Sequence, residues 1–246
     1  MKTKIYILIA LIFFSTNYSL FAQSGMTIQA GGTVTVNGNL TLTPAGFQCG
    51  NPFTDTRDGQ TYNTVSIGLQ CWFAQNLNIG TRLAGHSGQT NNSTIEKYCY
   101  NDNDANCTIY GGLYQWNEAM QYSTTPGVQG ICPTGWHLPT DGEWTTLTTF
   151  LGGESIAGGK MKEAGLTHWL SPNTDATNSS GFTALGAGDR DNNGYFGDFN
   201  AFALFWSSTE YDVQSGVDRD LSYQNATAAT FDNYKSLGFS IRCLKN

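Results

Sequence analysis

Gly130-Ile131-Cys132-Pro133-Thr134-Gly135-Trp136-His137-Leu138-Pro139-Thr140-Asp141-Gly142-Glu143-Trp144, continuing through Leu147 to Leu151, is the stretch whose reading decides the fold. Pro139 disfavours helix immediately before it, and Thr140 with Glu143 three residues on makes a capping box. A helix is therefore predicted to begin at Asp141 or Gly142. Trp144, Leu147 and Leu151 then share one face, and Gly152-Gly153 ends the run. Such a stripe must face a core, which makes Trp144 a packing residue. Just upstream, the segment supplies a strand and, in Cys132, a disulfide candidate.

Working outward, the chain of 246 residues is 39% hydrophobic, enough for one substantial domain with a short arm. Charged residues are only 13%, so Asn, Thr, Ser, Gln and Gly must cover the surface, a composition typical of β-rich extracellular bacterial proteins. Lys2 and Lys4 precede the apolar run that starts at Ile5 and ends at Phe14, and Leu20-Phe21-Ala22 follows. Residues 1–22 are predicted to be a secretory signal peptide cleaved after Ala22. Ser15, Thr16 and Asn17 cut the run short of the roughly 20 apolar residues that a membrane span needs. Losing Lys2 and Lys4 takes the formal charge from −7 to −9. Such a surface repels nucleic acid and anionic lipid. The expected place is outside the cell or on its surface, with no membrane span and no nucleic-acid partner.

Residues 23–46 are predicted to be an arm and hinge. The alternation of Ile28, Val34, Val36, Leu40 and Leu42 with threonines, broken at Gly31-Gly32 and Asn37-Gly38, reads as a β-hairpin with an Asn-Gly turn. The segment opening at Met26 and closing at Leu42 either docks on its own domain or joins another subunit. The domain itself is predicted over residues 47–246.

Six cysteines remain, Cys49, Cys71, Cys99, Cys107, Cys132 and Cys243. In an exported chain without CxxC spacing an even count reads as disulfides before metal. The Asp58-Gly59 turn signal between Phe53 and Tyr62 carries Cys49 back toward Cys71. Cys99 and Cys107 flank the polar Asn101-Asp102-Asn103-Asp104, and Cys132 is left with Cys243. Leu113, Trp116 and Met120 recur at helical spacing before Pro126-Gly127. Phe182 to Leu185, Phe202 to Ser207 and Arg219 to Tyr223 read as strands. In the closing strand from Gly238 to Leu244, Phe239, Ile241 and Cys243 alternate with Ser240, Arg242 and Leu244.

Cys71-Trp72, Asn76-Leu77, Tyr98-Cys99-Tyr100, Gly112-Leu113-Tyr114-Gln115-Trp116, Cys132-Pro133-Thr134-Gly135-Trp136-His137-Leu138-Pro139, Trp206-Ser207-Ser208-Thr209 and Gly238-Phe239-Ser240-Ile241-Arg242-Cys243 occur in that order. Together they resemble the Fibrobacter succinogenes major paralogous domain. That family is similar in turn to the C-type-lectin-like fold of formylglycine-generating enzymes, through the helix-opening Leu138-Pro139-Thr140 with Glu143-Trp144 and the closing Gly238-Phe239 with Arg242. The resemblance implies an α+β domain with two short helices around small antiparallel sheets, long loops and three disulfides. Where relatives read Leu-Pro-Gly-Gly-Tyr-Arg, this chain reads Leu185-Gly186-Ala187-Gly188-Asp189-Arg190, which implies a loop built differently.

For function, the six cysteines read as disulfides and leave no reactive thiol pair. His86, His137 and His168 are scattered, and neither a nucleophile elbow nor a phosphate loop is present. A non-catalytic protein is expected. Asp189, Asp191 and Asn193, followed by Gly194, have the oxygen spacing of half a calcium loop, with Asp198 as a further ligand, so calcium is the one metal considered. The calcium-binding signatures of sugar-binding lectins are absent. Aromatic residues on polar loops, Tyr195, Phe196, Tyr211, Tyr223 and Tyr234, are the expected ligand contacts. The resulting expectation is a secreted or cell-surface binding or adhesion domain for an extracellular glycan or protein. The alternative is a structural subunit that forms a homo-oligomer through the arm.

Overall fold

The computed structural model describes residues 18–21, 26–29, 33–36, 41–44 and 47–246. The chain divides into two compact units, Met1–Gln48 and Cys49–Asn246. In the first, Met26–Gln29 pairs antiparallel with Thr33–Val36, with Ile28 opposite Val34. This pairs the strands on either side of residues 30–32; the turn expected at Asn37-Gly38 lies outside the described residues. Thr41–Pro44 pairs instead with Tyr18–Phe21. Cleavage after Ala22 would remove that partner strand.

The second unit is sheet-rich and holds four α-helices where two were expected. Helix α1, Asp104–Tyr110, occupies the segment read as a polar loop, because the Asn103 side chain caps it by accepting from the Ala105 amide. Helix α2 is Trp116–Ala119, so Leu113 lies ahead of it. Helix α3 spans Asp141–Phe150, with both halves of the Thr140–Glu143 capping box formed. Helix α4, Glu154–Met161, falls in a glycine-rich run with no helical stripe in its sequence. Its Gly158 is required by packing: a Cβ there would lie 2.2 Å from the Thr227 carbonyl oxygen.

The Asp58-Gly59 turn sets Phe53 opposite Tyr62, as its sequence predicts. One sheet runs in the order Trp136–His137, Leu244–Lys245, Gln70–Phe73, Thr64–Ile67. A second joins Tyr114–Gln115, Gly238–Phe239, Asp189–Arg190 and Phe196–Gly197. The longest strands, Phe202–Glu210, Ser215–Ser222 and Ala228–Tyr234, make a meander. Residues 182–185 form no strand, only a parallel bridge from Ala184 to Lys162. Cystines join Cys49 to Cys71, Cys99 to Cys107 and Cys132 to Cys243. The last closes a separation of 111 residues, a constraint on the unfolded chain of about 4 to 5 kcal/mol in the loop-entropy picture.

Two apolar clusters fill the unit. Trp116, Trp136 and Trp206 centre one, while Trp72, Trp144 and Trp169 centre the other. Trp144 sits 4.7 Å from Trp72, ring to ring. Trp144→Ala is expected to cost about 3 to 5 kcal/mol, as for other buried aromatics, read as a lowered midpoint in denaturant unfolding.

The middle strand of the meander carries an unusual pair. Asp218 is 0% exposed, Asp220 stands two residues along the same strand face, and one oxygen of each has no hydrogen-bond donor. Burial raises both carboxyls, and the neighbouring Asp218 raises Asp220 further while the bond from Asp220 lowers Asp218, so the pair keeps a shared proton at neutral pH. Because the folded state holds that proton more tightly than the unfolded chain, its stabilising effect is complete below the ordinary carboxyl range of about 4 and is lost as pH rises above it. Asp220→Asn is expected to flatten this decline. Melting temperatures from pH 5 to 9 should fall less in the variant than in wild type, and parallel curves would contradict the shared proton.

Candidate functional site

The stretch from Asp189 to Asp198 forms a closed hairpin tip. Asp189 faces Gly197 and Arg190 faces Phe196. The Asp191 carboxylate accepts from the Asn193 and Tyr195 amides at 2.8 and 2.9 Å, while the Gly194 amide donates to the Asp191 carbonyl. Arg190 turns inward, donating to the Gly85 carbonyl at 2.7 Å and to that of Ser236 at 3.1 Å, over the Tyr98 ring. Asp189 is pushed up to about 6, first by burial and then by Asp198 and Asp191. The residues expected from the sequence as calcium ligands, Asp189, Asp191, Asn193 and Asp198, all lie on this tip or at its close. Asp191 is committed to its own turn, and among the described residues no three His, Cys, Asp or Glu side chains group as a metal site.

The histidines occupy three separate places. His137 bonds Glu143 and Asn246, and the Glu143 bond raises its pKa. His168 bonds Glu163, and His86 lies against the Asn193 carbonyl. The five aromatic contacts expected from the sequence also disperse. Tyr195 and Tyr211 are exposed, with Tyr195 edge-on to His86. Phe196 lies against Tyr100, and Tyr223 packs on the core around Trp144. Only Tyr234 of these lines the larger groove.

That groove, of about 390 Å³, runs between helix α2 and the end of the meander and is lined by Gln89, Gln115, Glu118, Tyr122, Val213 and Tyr234 among others. Between the lining residues Gln115 and Asn117 stands buried Trp116, whose indole donates to the Ser207 carbonyl at 2.9 Å and whose amide donates to the Lys235 carbonyl at 3.0 Å. Gly216 lies flat on the same indole, since a Cβ there would approach Cδ1 to 2.5 Å. Gln89 and Gln115 exchange hydrogen bonds, each backbone amide donating to the other's side-chain oxygen, at 3.1 and 2.7 Å. Lys235 pairs with Glu210, donates to the Val213 carbonyl and stands 4.6 Å over the Trp116 ring.

Glu118 is the buried acid of this groove, only 1% exposed. Its two oxygens accept from the Glu96 amide at 3.0 Å and the Tyr122 hydroxyl at 2.7 Å. Burial raises its pKa, against the lowering effect of the Tyr122 and Glu96-amide hydrogen bonds. Gln121 and Tyr122, at φ of 49° and 60°, take left-handed backbone that non-glycine residues seldom adopt. Strain of this kind persists where surrounding structure imposes it; here it brings the Tyr122 hydroxyl onto Glu118. The sequence reading missed Glu118 and Lys235. The available signal was a carboxylate between the buried positions Trp116 and Met120 of a short helix.

A second cavity of about 240 Å³ lies beside Tyr62, Asn76, Tyr110 and Arg242. Its polar groups are largely bound to one another: Asn76 donates to the Tyr110 carbonyl and accepts from Arg242.

No curated protein and no solved structure matches the chain. The profile of the Fibrobacter succinogenes major domain matches residues 65–245. That span holds the framework just described, from the Thr64–Ile67 strand to Leu244–Lys245, and with it the groove. The chain belongs to the Fibrobacter succinogenes major domain family.

Proposed function

We propose that this protein is a secreted or cell-surface, non-catalytic adhesion module that takes an extracellular glycan in the groove beside helix α2. The observation that carries this reading is the groove itself. Amide side chains of Gln89, Gln115, Asn117 and Gln214 line it together with two tyrosines, Tyr122 and Tyr234. A saccharide offers hydroxyls to the amides and an apolar ring face to an aromatic. Three cystines fit an oxidising compartment, and no helix among the described residues is long and apolar enough to cross a membrane. We read the fold as C-type-lectin-like, on the strength of the last strand lying between Trp136–His137 and Gln70–Phe73. A structural role through the arm is the second reading, favoured by the separate compactness of Met1–Gln48.

Screening the exported chain on a glycan array and then titrating any positive sugar tests the proposal. Tyr234→Ala with Gln214→Ala is expected to weaken binding at least about tenfold, as for well-placed contacts, with an unchanged melting temperature. Tyr195→Ala is expected to have no effect. Binding that survives the double substitution would place the site elsewhere.

A further inference from the structure

The charges around the groove leave its buried carboxylates without a cation partner among the described residues. Glu118 and Glu96 are both buried, the first carboxylate accepting the Glu96 amide and the second bonding the Thr90 amide and Asn92 side chain. Neither makes an ion pair among the described residues. Lys235, the one lysine lining the groove, is bound to Glu210. Arg190, the other cation of this region, gives its N–H groups to the Gly85, Ser87 and Ser236 carbonyls. A buried carboxylate without a counter-ion is costly, and a cation entering beside it recovers that cost.

We propose that the groove is built for a sugar residue bearing a free primary amine, with its ammonium docked on Glu118 and its hydroxyls on the exposed side chains of Asn117 and Gln214. The inference rests on the groove being the glycan site, and it names the kind of sugar. An ammonium suits Glu118 because it is compact and donates three hydrogen bonds, whereas the carboxylate uses one acceptor position on each oxygen for the protein. The Tyr122 and Tyr234 rings at the groove offer faces for a cation or a sugar ring. A lysine side chain carries the same ammonium, but its four-carbon stem wants apolar walls. Among the lining residues only Val213 is aliphatic, and it is 89% exposed. The amides therefore favour an amino sugar over a basic peptide.

Calorimetric titration of the full exported chain with three probes decides the matter: a glucosamine tetramer, its fully N-acetylated counterpart and tetralysine. The glucosamine tetramer is expected to bind at least about tenfold more tightly than the acetylated one, the scale of one charge-assisted hydrogen bond. Glu118→Gln should erase that preference and leave the melting temperature near wild type. The wild-type comparison alone suffices if the variant fails to fold. Equal or tighter binding of the acetylated tetramer would overturn the ammonium site. If that binding were weakened by Tyr234→Ala, the groove would still stand as the glycan site. Binding of tetralysine without the amino sugar would overturn the sugar assignment, and no binding by any probe would overturn the inference.

Discussion

The guanidinium of Arg242 is the constraint on which the larger unit depends. It is 0% exposed, has no carboxylate partner among the described residues and lies 4.4 Å from the Phe182 ring centre. Burial lowers its pKa to about 9, so it stays charged at neutral pH. The charge is satisfied by oxygens. Nε donates to the Asn76 side chain, Nη1 to the Phe73 and Phe182 carbonyls, and Nη2 to the Thr183 carbonyl. One side chain thus fastens the end of the chain to a segment near its first third and to a loop that has no strand of its own. Each of these carbonyls would cost about 1 to 3 kcal/mol if left buried and unpaired.

From this clamp a series of hydrogen bonds leads to the groove. Asn76 also donates to Tyr110 and Ser240. The Leu77 amide donates to Ile241, and the Gly112 amide donates to Leu77. Gly111 can lie there because its Cβ position is 2.5 Å from Asn76. Gly112 leads directly into Tyr114–Gln115, which pairs with Gly238–Phe239 and opens into helix α2. Glu118 and Trp116 therefore stand on backbone whose position is set several bonds away by the terminal segment. Lys162 does comparable work on the opposite loops: its ammonium donates to the Thr174, Ser222 and Asn225 carbonyls. The loops of this protein are held by buried cations that bind backbone oxygen, which explains how a chain with 13% charged residues keeps long irregular segments in one arrangement.

What the sequence made legible was whatever is specified within a few residues. The capping box, the Asp58-Gly59 hairpin, the Trp144 stripe and the three cystines follow from short-range chemistry or from simple elimination. Helix α4 was hidden because its glycines answer to a neighbouring backbone, not to helical propensity. In the terminal segment, alternation suggested one buried face, yet residues 239–243 are buried on both sides and regular pairing is limited to Gly238–Phe239 and Leu244–Lys245. The burial of Arg242 does not follow from that alternation. At the acidic hairpin from Asp189, spacing alone does not show that the Asp191 carboxylate caps its own turn. The groove was the least visible feature, since its residues come from four distant segments and only Tyr234 stood out by type.

The central claim is that a buried cation bound to backbone oxygen holds the scaffold on which the groove is formed. Backbone hydrogen exchange in Arg242→Met, a change that keeps the bulk of the side chain and removes its donors, tests this most directly. The account expects faster exchange at Leu77, Gly112 and Ala184, spreading to Trp116, while the amides of helix α3 keep most of their protection. Exchange unchanged at those four amides, or accelerated uniformly across the domain, would contradict it.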